Sequence, residues 1–446
     1  MLIIENGTVY TPAGPIPGGG VLVNGGRIEA VGKRDELALP DDVQHLDAHG
    51  GLIAPGFVNM HIHGVGGYDT DDGEVAGLEA MSWLLTRHGV TSWVPTTTSK
   101  PLAEIAAACA AIREAMADVE PASADIGPAS ADIEPASADQ KVGAEILGVR
   151  IEGPYLSPQE RGAHPEDLLI EPRIEEYSLL LDYADVIRVF TLAPELPGAL
   201  DLIRELKNRG VVVSAGHSVA IDEEFARAVD VGLSHADHMF CNMGTLRRAD
   251  LRRVAGLVES ILLDDRVTAE MITDGYVIAP SLMQLGLKVK GVEKLAIITD
   301  GSALTGLPPG SYSLLGTDVV LEKDIAYVAD RSSYAGTAVP MDHCVRVAVE
   351  SMDLSLEDAF RMASLTPATI LGVSGRKGSL EVGKDADVVI LDEELRVTQT
   401  VARGHVFEAT EEMCLEEGGA LGWRISREGR QGDGGTRRQG DRETRR

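Results

Sequence analysis

His61 and His63 stand one residue apart at the end of an apolar run, Leu52 to Met60. Side chains alternate along an extended segment, so positions 61 and 63 face the same way. Two neutral imidazoles set side by side can grip one metal ion. Alone the pair says little, because a His-x-His is as readily a surface or turn feature. Four further residues share its setting, each ending or following an apolar β-type run. Glu152 follows Ile146 to Ile151, His217 follows Val211 to Ala215, His238 ends Leu233 to His238, and Asp300 ends Leu295 to Asp300. Taken singly, His217 could cap a helix, Asp300 could be an N-cap and Glu152 a loop carboxylate. Six imidazoles and carboxylates at successive strand ends, most beside glycine, describe a metal-binding mouth. The donor set is all nitrogen and oxygen, which suits zinc, iron, manganese, cobalt or nickel without choosing among them. An ion of this kind lowers the pKa of bound water towards ~7 and supplies hydroxide at neutral pH. Asp300 can take the water's proton and pass it to a leaving group. Together these parts would hydrolyse an amide or an ester.

The elements that must position these residues are strands alternating with helices. Eight apolar runs qualify as strands: the one opening at Leu52, Gly89 to Thr98, Ile146 to Ile151, Val186 to Phe190, Val211 to Ala215, Leu233 to His238, Val267 to Ile272 and Leu295 to Asp300. Amphipathic segments at Gly77 to His88, Leu102 to Met116, Ala199 to Arg209 and Asp222 to Asp230 read as helices between some of them. Eight parallel strands are what a closed α/β barrel requires, and such barrels build their sites at the C-terminal strand ends. Residues 1–51 instead read as short strands broken at Asn6-Gly7, Pro17 to Gly20 and Asn24 to Gly26; Asn-Gly between β-rich runs is a hairpin signal. β-character returns at Gly378 to Asp392 and Val397 to Phe407, which should complete the N-terminal sheet. The expected fold is an α/β, (β/α)8 TIM-like barrel over 52–376, with a small β-sandwich built from residues 1–51 and 377–426. Two segments stand apart. Residues 119–140 repeat Pro-Ala-Ser-Ala-Asp at seven-residue spacing, and the prolines forbid a continuous helix, so a surface insertion without a catalytic role is expected. Residues 427–446 hold almost nothing apolar and are expected to be disordered.

Composition narrows the function. A chain of 446 residues with 44% hydrophobic residues can bury a large core, and its formal charge of −30 disfavours nucleic acid or an anionic membrane as partner. Cys109, Cys241, Cys344 and Cys414 are scattered without paired spacing, which argues against a disulfide framework or a thiolate zinc site. With no signal-like N-terminus and no long uncharged apolar stretch, a cytoplasmic protein is expected.

The matching stretches are Ala54-Pro55-Gly56-Phe57-Val58-Asn59-Met60-His61-Ile62-His63-Gly64, Ile151-Glu152-Gly153-Pro154-Tyr155 with Gly162-Ala163-His164, and Ala215-Gly216-His217-Ser218. Further on come His238-Met239-Phe240 with Met243, Ile298-Thr299-Asp300-Gly301, and Ala335-Gly336-Thr337 with Met341-Asp342. On these, residues 1 to about 410 resemble the N-acetylglucosamine-6-phosphate deacetylase family of the amidohydrolase superfamily. The Glu-Gly-Pro-Tyr and Gly-Ala-His segments carry most of the specificity. The resemblance implies metal-dependent removal of the acetyl group from N-acetylglucosamine 6-phosphate, giving glucosamine 6-phosphate and acetate. It implies Glu152, His217 and His238 as principal metal ligands, His61 and His63 as the pair supporting a second metal bridged by the glutamate, and Asp300 as the acid/base. Ala163 and His164, Cys241 and Asn242, and Tyr334, Ala335 and Gly336 fall at its substrate-contacting positions. Arg253, with Arg247, Arg248 and Arg252 as alternatives, matches a phosphate-binding arginine that the family takes from the neighbouring subunit of a homodimer.

Two departures qualify the expectation. Cys241 stands where the family has an asparagine, and the family's Asp-Gly-x-His reads here Asp274-Gly275-Tyr276-Val277, without the phosphate-contacting histidine. An amidohydrolase acting on an unphosphorylated N-acyl amino sugar, or another small N-acyl compound, is the alternative these departures leave open. A non-catalytic binding protein on the same fold is the third reading.

Overall fold

A computed structural model describes residues 1–117, 143–249, 251–314, 317–331 and 334–409. The 119–140 repeat, Cys414 and the 427–446 tail lie outside the described residues. Eight parallel strands form the barrel: β1 (Phe57–Ile62), β2 (Val90–Thr97), β3 (Val149–Glu152), β4 (Ile187–Leu192), β5 (Val212–Ala215), β6 (His235–Ala236), β7 (Thr268–Ile272) and β8 (Leu295–Ile298). Each is followed by a helix: α1 (Val75–Thr86), α2 (Leu102–Ala117), α3 (Ile174–Leu181), α4 (Ala199–Asn208), α5 (Asp222–Val231), α6 (Leu257–Leu263), α7 (Pro280–Lys290) and α8 (Met341–Met352). Neighbouring strands pair from β1 through β8 in chain order. The ring closes where the Asp300 N–H donates to the His61 carbonyl at 3.0 Å and the His63 N–H to that of Gly301 at 2.8 Å. That closure sets two of the expected ligand stretches against each other.

Strand and helix faces meet in one large apolar core, with Phe57, Trp93, Phe190, Leu202, Met239 and Ile297 fully buried. Burying a side chain of this size contributes about 1.5–3 kcal/mol. The barrel interior is different. Asn59, His61, Arg150, Thr191, Ser214, His235, Asp237 and Glu270 are all fully buried there.

The run opening at Leu52 is two strands, not one. Leu52–Pro55 pairs antiparallel with Val388–Leu391 in a separate sheet, and the barrel strand starts at Phe57. Gly56 makes the crossing, its N–H donating to the Asp387 carbonyl at 3.0 Å. A β-carbon there would sit 2.3 Å from the Thr91 side chain. The junction therefore lies at Gly56 rather than after residue 51, because strand pairing and not apolarity assigns Leu52–Pro55.

That separate sheet joins both chain ends, in the order His405–Glu408, Val397–Ala402, Val388–Leu391, Leu52–Pro55, Leu2–Thr11, Gly14–Asn24 and Arg27–Lys33, with Gln44–Asp47 also on Leu2–Thr11. It wraps a core of its own that includes Ile4, Val23, Ile53, Val388 and Val401. Asn24 pairs with Arg27 across a tight hairpin whose Gly25 and Gly26 have φ of 54° and 76°, as its Asn-Gly-Gly predicts. Asn6-Gly7, carrying the same signal, makes no turn. Leu2–Thr11 runs through it as one strand with a bulge between Ile4 and Thr8. The reason is tertiary: Leu2–Glu5 pairs with Gln44–Asp47, Thr8–Val9 pairs with Leu52–Ile53, and the bulge re-aims the strand between them.

Between β8 and α8 stands a four-stranded antiparallel sheet, Gly310–Leu314, Thr317–Glu322, Ile325–Val328 and Tyr334–Thr337, with Leu304, Val319, Leu321 and Ala326 in its core. Its last strand lies beside the Asp300 loop. The eight-strand reading did not anticipate it. Among the described residues, no helix is long and apolar enough to cross a membrane, and Cys109, Cys241 and Cys344 are free.

Candidate metal centre

All six residues singled out at the strand ends converge at one end of the barrel. Glu152 is central and fully enclosed. Its Oε1 lies 3.1 Å from both His217 Nε2 and His238 Nε2, and those two nitrogens are 3.1 Å apart. Its Oε2 lies 3.4 Å from His61 Nε2 and 3.1 Å from His63 Nε2. Asp300 Oδ1 faces the same two imidazoles at 3.2 and 3.3 Å. Ligand bonds of ~2.0–2.1 Å in a tetrahedron put neighbouring donors ~3.3 Å apart. Both groups have that spacing, so the residues fit a divalent ion in each, with one carboxylate oxygen of Glu152 in either group.

Ring orientation agrees. His217 Nδ1 is 2.8 Å from the Glu160 carbonyl, His63 Nδ1 is 3.1 Å from the Thr96 carbonyl, and His61 Nδ1 is 2.5 Å from Glu270 Oε1. A ring nitrogen facing an acceptor carries the proton, which leaves each Nε2 free to ligate. The backbone is also specialised here. His217, Phe240, Asn242 and Asp300 all have positive φ, between 48° and 79°. Non-glycine residues rarely adopt that region, and where they do it clusters at sites that must aim a side chain.

Electrostatics points the same way. Burial opposes charging His63, but hydrogen bonds to Asp300 and Glu152 win, and its imidazole is held well above its ordinary pKa. His238 is pushed up to about 10 against its own burial, chiefly by Glu152. Burial likewise opposes ionising Glu152 and Asp300, yet the histidines, His61 foremost, hold both carboxyls well below the usual range. A pocket that draws protons onto its imidazoles draws a divalent cation for the same reason, and the two compete for the same nitrogens.

His164 reaches the rim of this centre, its Nε2 3.9 Å from Glu152 Oε2 and its ring 4.7 Å from that of His217. Burial and the adjacent His217 push its pKa down to about 3, so it is neutral. The Ser99 N–H donates to its Nδ1 at 3.1 Å. The proton therefore sits on Nε2, pointing into the site. Ala163 precedes it in the same loop. Asn242 brings its carboxamide against Gly162, where a β-carbon would meet the amide nitrogen at 2.7 Å. Cys241 is half-buried; burial, with Asp300 and Asp274 nearby, pushes its thiol up to about 12, which keeps it protonated. Ala335 and Gly336 lie beside the Asp300 loop: the Ser302 N–H donates to the Thr337 carbonyl at 3.1 Å, and a β-carbon on Gly336 would meet Ser302 at 3.2 Å. Tyr334 is exposed and stacks on Tyr327.

Arg253 is not brought to the centre. It pairs with Arg248 on an exposed two-stranded ribbon, Arg247–Ala249 with Arg252–Val254, and among the described residues no hydrogen bond or ion pair ties it to the cluster. Val277 packs against the barrel core, while His343 of α8 donates from Nε2 to the Asp274 carbonyl at 3.0 Å and stacks on Tyr276.

Strand-end reasoning missed the layer beneath the centre: Arg150, His235, Asp237 and Glu270. A signal existed, since Arg150 and Glu270 interrupt apolar strands, and a charge buried in a barrel must be paired. Asp237 and Glu270 are close enough to the centre to be counted as ligands. Their oxygens, however, are taken by Arg150, Ser214, Thr191, His235 and His61.

An eight-stranded barrel with a histidine–carboxylate centre at the strand ends, completed by a sheet from both termini, defines a class of hydrolase. The chain belongs to the amidohydrolase family, whose model matches residues 52–416. It is 35% identical to the N-acetylgalactosamine-6-phosphate deacetylase of Escherichia coli O157:H7 over 369 residues, 82% of this chain and 90% of that one. It is 30% identical to the N-acetylglucosamine-6-phosphate deacetylase of Bacillus subtilis (strain 168), over 91% of this chain and 96% of that one. The crystal structure of N-acetylglucosamine-6-phosphate deacetylase from Pasteurella multocida superposes with a TM-score of 0.81 at 28% identity, covering 91% and 99% of the two chains.

Proposed function

We propose that this chain is a metal-dependent deacetylase of N-acetylated amino-sugar 6-phosphates, hydrolysing N-acetylglucosamine 6-phosphate to glucosamine 6-phosphate and acetate. The observation that carries the reading is Glu152, whose two oxygens serve two donor groups, each with the spacing a tetrahedral ion needs. The family and the deacetylases similar to this chain support the same reaction. A divalent ion held by Glu152, His217 and His238, and a second held by His61, His63, Glu152 and Asp300, would acidify water and polarise the amide carbonyl.

The chain's own residues do the rest. Asp300 accepts a proton from the attacking water as its oxygen bonds to the acetyl carbon, and returns that proton to the amide nitrogen as the C–N bond breaks. The Nε2–H of His164 donates to the carbonyl oxygen as negative charge builds there. Ala163, Cys241, Asn242, Tyr334, Ala335 and Gly336 line the approach and contact the sugar. Arg253, exposed on its ribbon, serves the phosphate in the neighbouring subunit of a homodimer; an arginine can hold a phosphate bidentately. A charged sugar phosphate does not cross membranes unaided, and a cytoplasmic enzyme that meets its substrate where it is made fits that chemistry.

Val277 favours a second reading, in which the substrate is an unphosphorylated N-acyl amino sugar, because a half-buried apolar residue packed against the core offers a phosphate neither charge nor a hydrogen bond. Acetate release from N-acetylglucosamine 6-phosphate, its galacto epimer and free N-acetylglucosamine, each with and without chelator, tests both. Chelator-sensitive release with kcat/KM highest for a phosphorylated sugar is expected. A preference for the free sugar would install the second reading, and no chelator-sensitive release from any of them would overturn the proposal.

A further inference from the structure

His61 is held from behind by a side chain, whereas His63 and His217 are held by backbone carbonyls. Glu270 of β7 is fully buried, and its Oε1 lies 2.5 Å from His61 Nδ1. The backbone N–H of His238 points to the same oxygen at 3.3 Å. Its Oε2 accepts from Arg150 Nη1 at 2.8 Å and lies 3.2 Å from His235 Nε2. On the far side of Arg150, Asp237 takes the other guanidinium nitrogen, the Ser214 hydroxyl and, at 2.6 Å, the Thr191 hydroxyl.

Arginine is always charged and only donates, so the atom of residue 270 that faces it must be an acceptor. As a carboxylate, Glu270 offers a second acceptor to His61. That makes His61 Nδ1 the donor and leaves Nε2 without a proton, 3.2 Å from Asp300 Oδ1 and 3.4 Å from Glu152 Oε2.

We infer that Glu270 is the positioning residue that turns His61 into a ligand, and that the Arg150–Glu270 pair thereby sets occupancy of the second of the two metal positions. This rests on the metal-dependent reading above. Glu270→Gln is the informative change. The carbonyl oxygen of a glutamine must turn to Arg150, which puts its NH2 against His61 Nδ1. His61 then accepts at Nδ1 and carries its proton on Nε2, where the ion would bind. Outer partners of metal-ligating histidines are typically worth 10–100-fold in metal affinity.

The experiment is metal content after exhaustive dialysis, with competition titration of Co²⁺ or Zn²⁺ against a chromogenic chelator, on wild type, E270Q and D237N. D237N disturbs the same Arg150 network without touching His61. Wild type and D237N are expected to keep two ions. E270Q should keep one tight ion, at Glu152, His217 and His238, and lose 10–100-fold in affinity for the other. If E270Q does not fold, Glu270→Asp, which keeps the charge but draws the oxygen back from His61, should show a smaller loss in the same direction. A wild type that binds no ion would overturn the metal reading itself. A wild type with two ions and an E270Q variant of unchanged affinity would overturn this inference alone, as would a wild type that binds only one. Loss of both ions together in E270Q, or a loss in D237N equal to that in E270Q, would mean a merely structural role for Glu270 and would also overturn it.

Discussion

Asp300→Asn replaces one oxygen by an amide nitrogen at the most exposed member of the centre, whose side chain is 19% accessible. The substitution preserves size and the left-handed backbone, which asparagine tolerates well, so folding should survive. What it removes is the proton acceptor of the proposed mechanism. General-base catalysis contributes 10²–10⁴-fold, and where in that range the variant falls depends on whether a neighbour can stand in. None is placed to do so. Both oxygens of Glu152 face histidines within 3.4 Å. His164 has its Nδ1 occupied by the Ser99 N–H, its Nε2 protonated and its pKa near 3. The Cys241 thiol is protonated, with its pKa at about 12. The loss should therefore lie at the upper end, about 10³–10⁴ in kcat, or ~4–5 kcal/mol of barrel-mouth chemistry. The variant also loses one anionic donor at the His61–His63 position, so kinetics must be run at saturating metal, with metal content measured in the same sample. Acetate release under those conditions isolates the proton transfer from metal loss. Activity within tenfold of wild type, with metal content unchanged, would refute the assignment of Asp300 as acid/base.

Two other changes should behave predictably. His164→Phe removes the inward Nε2–H and should lower kcat by about 10²–10³ with little change in KM, the cost of one donor to a developing oxyanion; a KM effect alone, in steady-state kinetics, would make His164 a binding residue only. Glu145 joins the barrel to the end sheet through Arg376 and Lys377, each 2.8 Å from its Oε2. Burial would raise its pKa, but the Arg376 hydrogen bond and the Lys377 charge hold it at about 2. Its folded pKa lies below its unfolded value of ~4.5, so its contribution is fully present above pH ~4.5 and lost as pH falls towards ~2. The shift corresponds to stability on the order of 3 kcal/mol. Urea unfolding of wild type and Glu145→Gln should thus differ at pH 7 and differ by less than half as much at pH 3; an equal difference at both would show that the pair contributes no proton-linked stability.

The sequence by itself determined which residues stand at the strand ends as candidate ligands. His61, His63, Glu152, His217, His238 and Asp300 were legible because each lies within a residue or two of an apolar run, and period-two alternation with an adjacent glycine is a local signal. Eight such runs with intervening helices were enough for the barrel. Only the tertiary structure decided matters in which a residue's role depends on a partner far along the chain. Leu52–Pro55 reads as the start of the first barrel strand until Val388–Leu391 claims it. Asn6-Gly7 reads as a turn until two separate parallel partners require a bulge. Glu270 and Arg150 look like faults in apolar strands; 120 residues apart in the chain, they pair at 2.8 Å beneath His61. Hydrophobic periodicity is written one residue after another. The neutralisation of a buried charge is not, because the group that supplies it is chosen by where the closed barrel puts it.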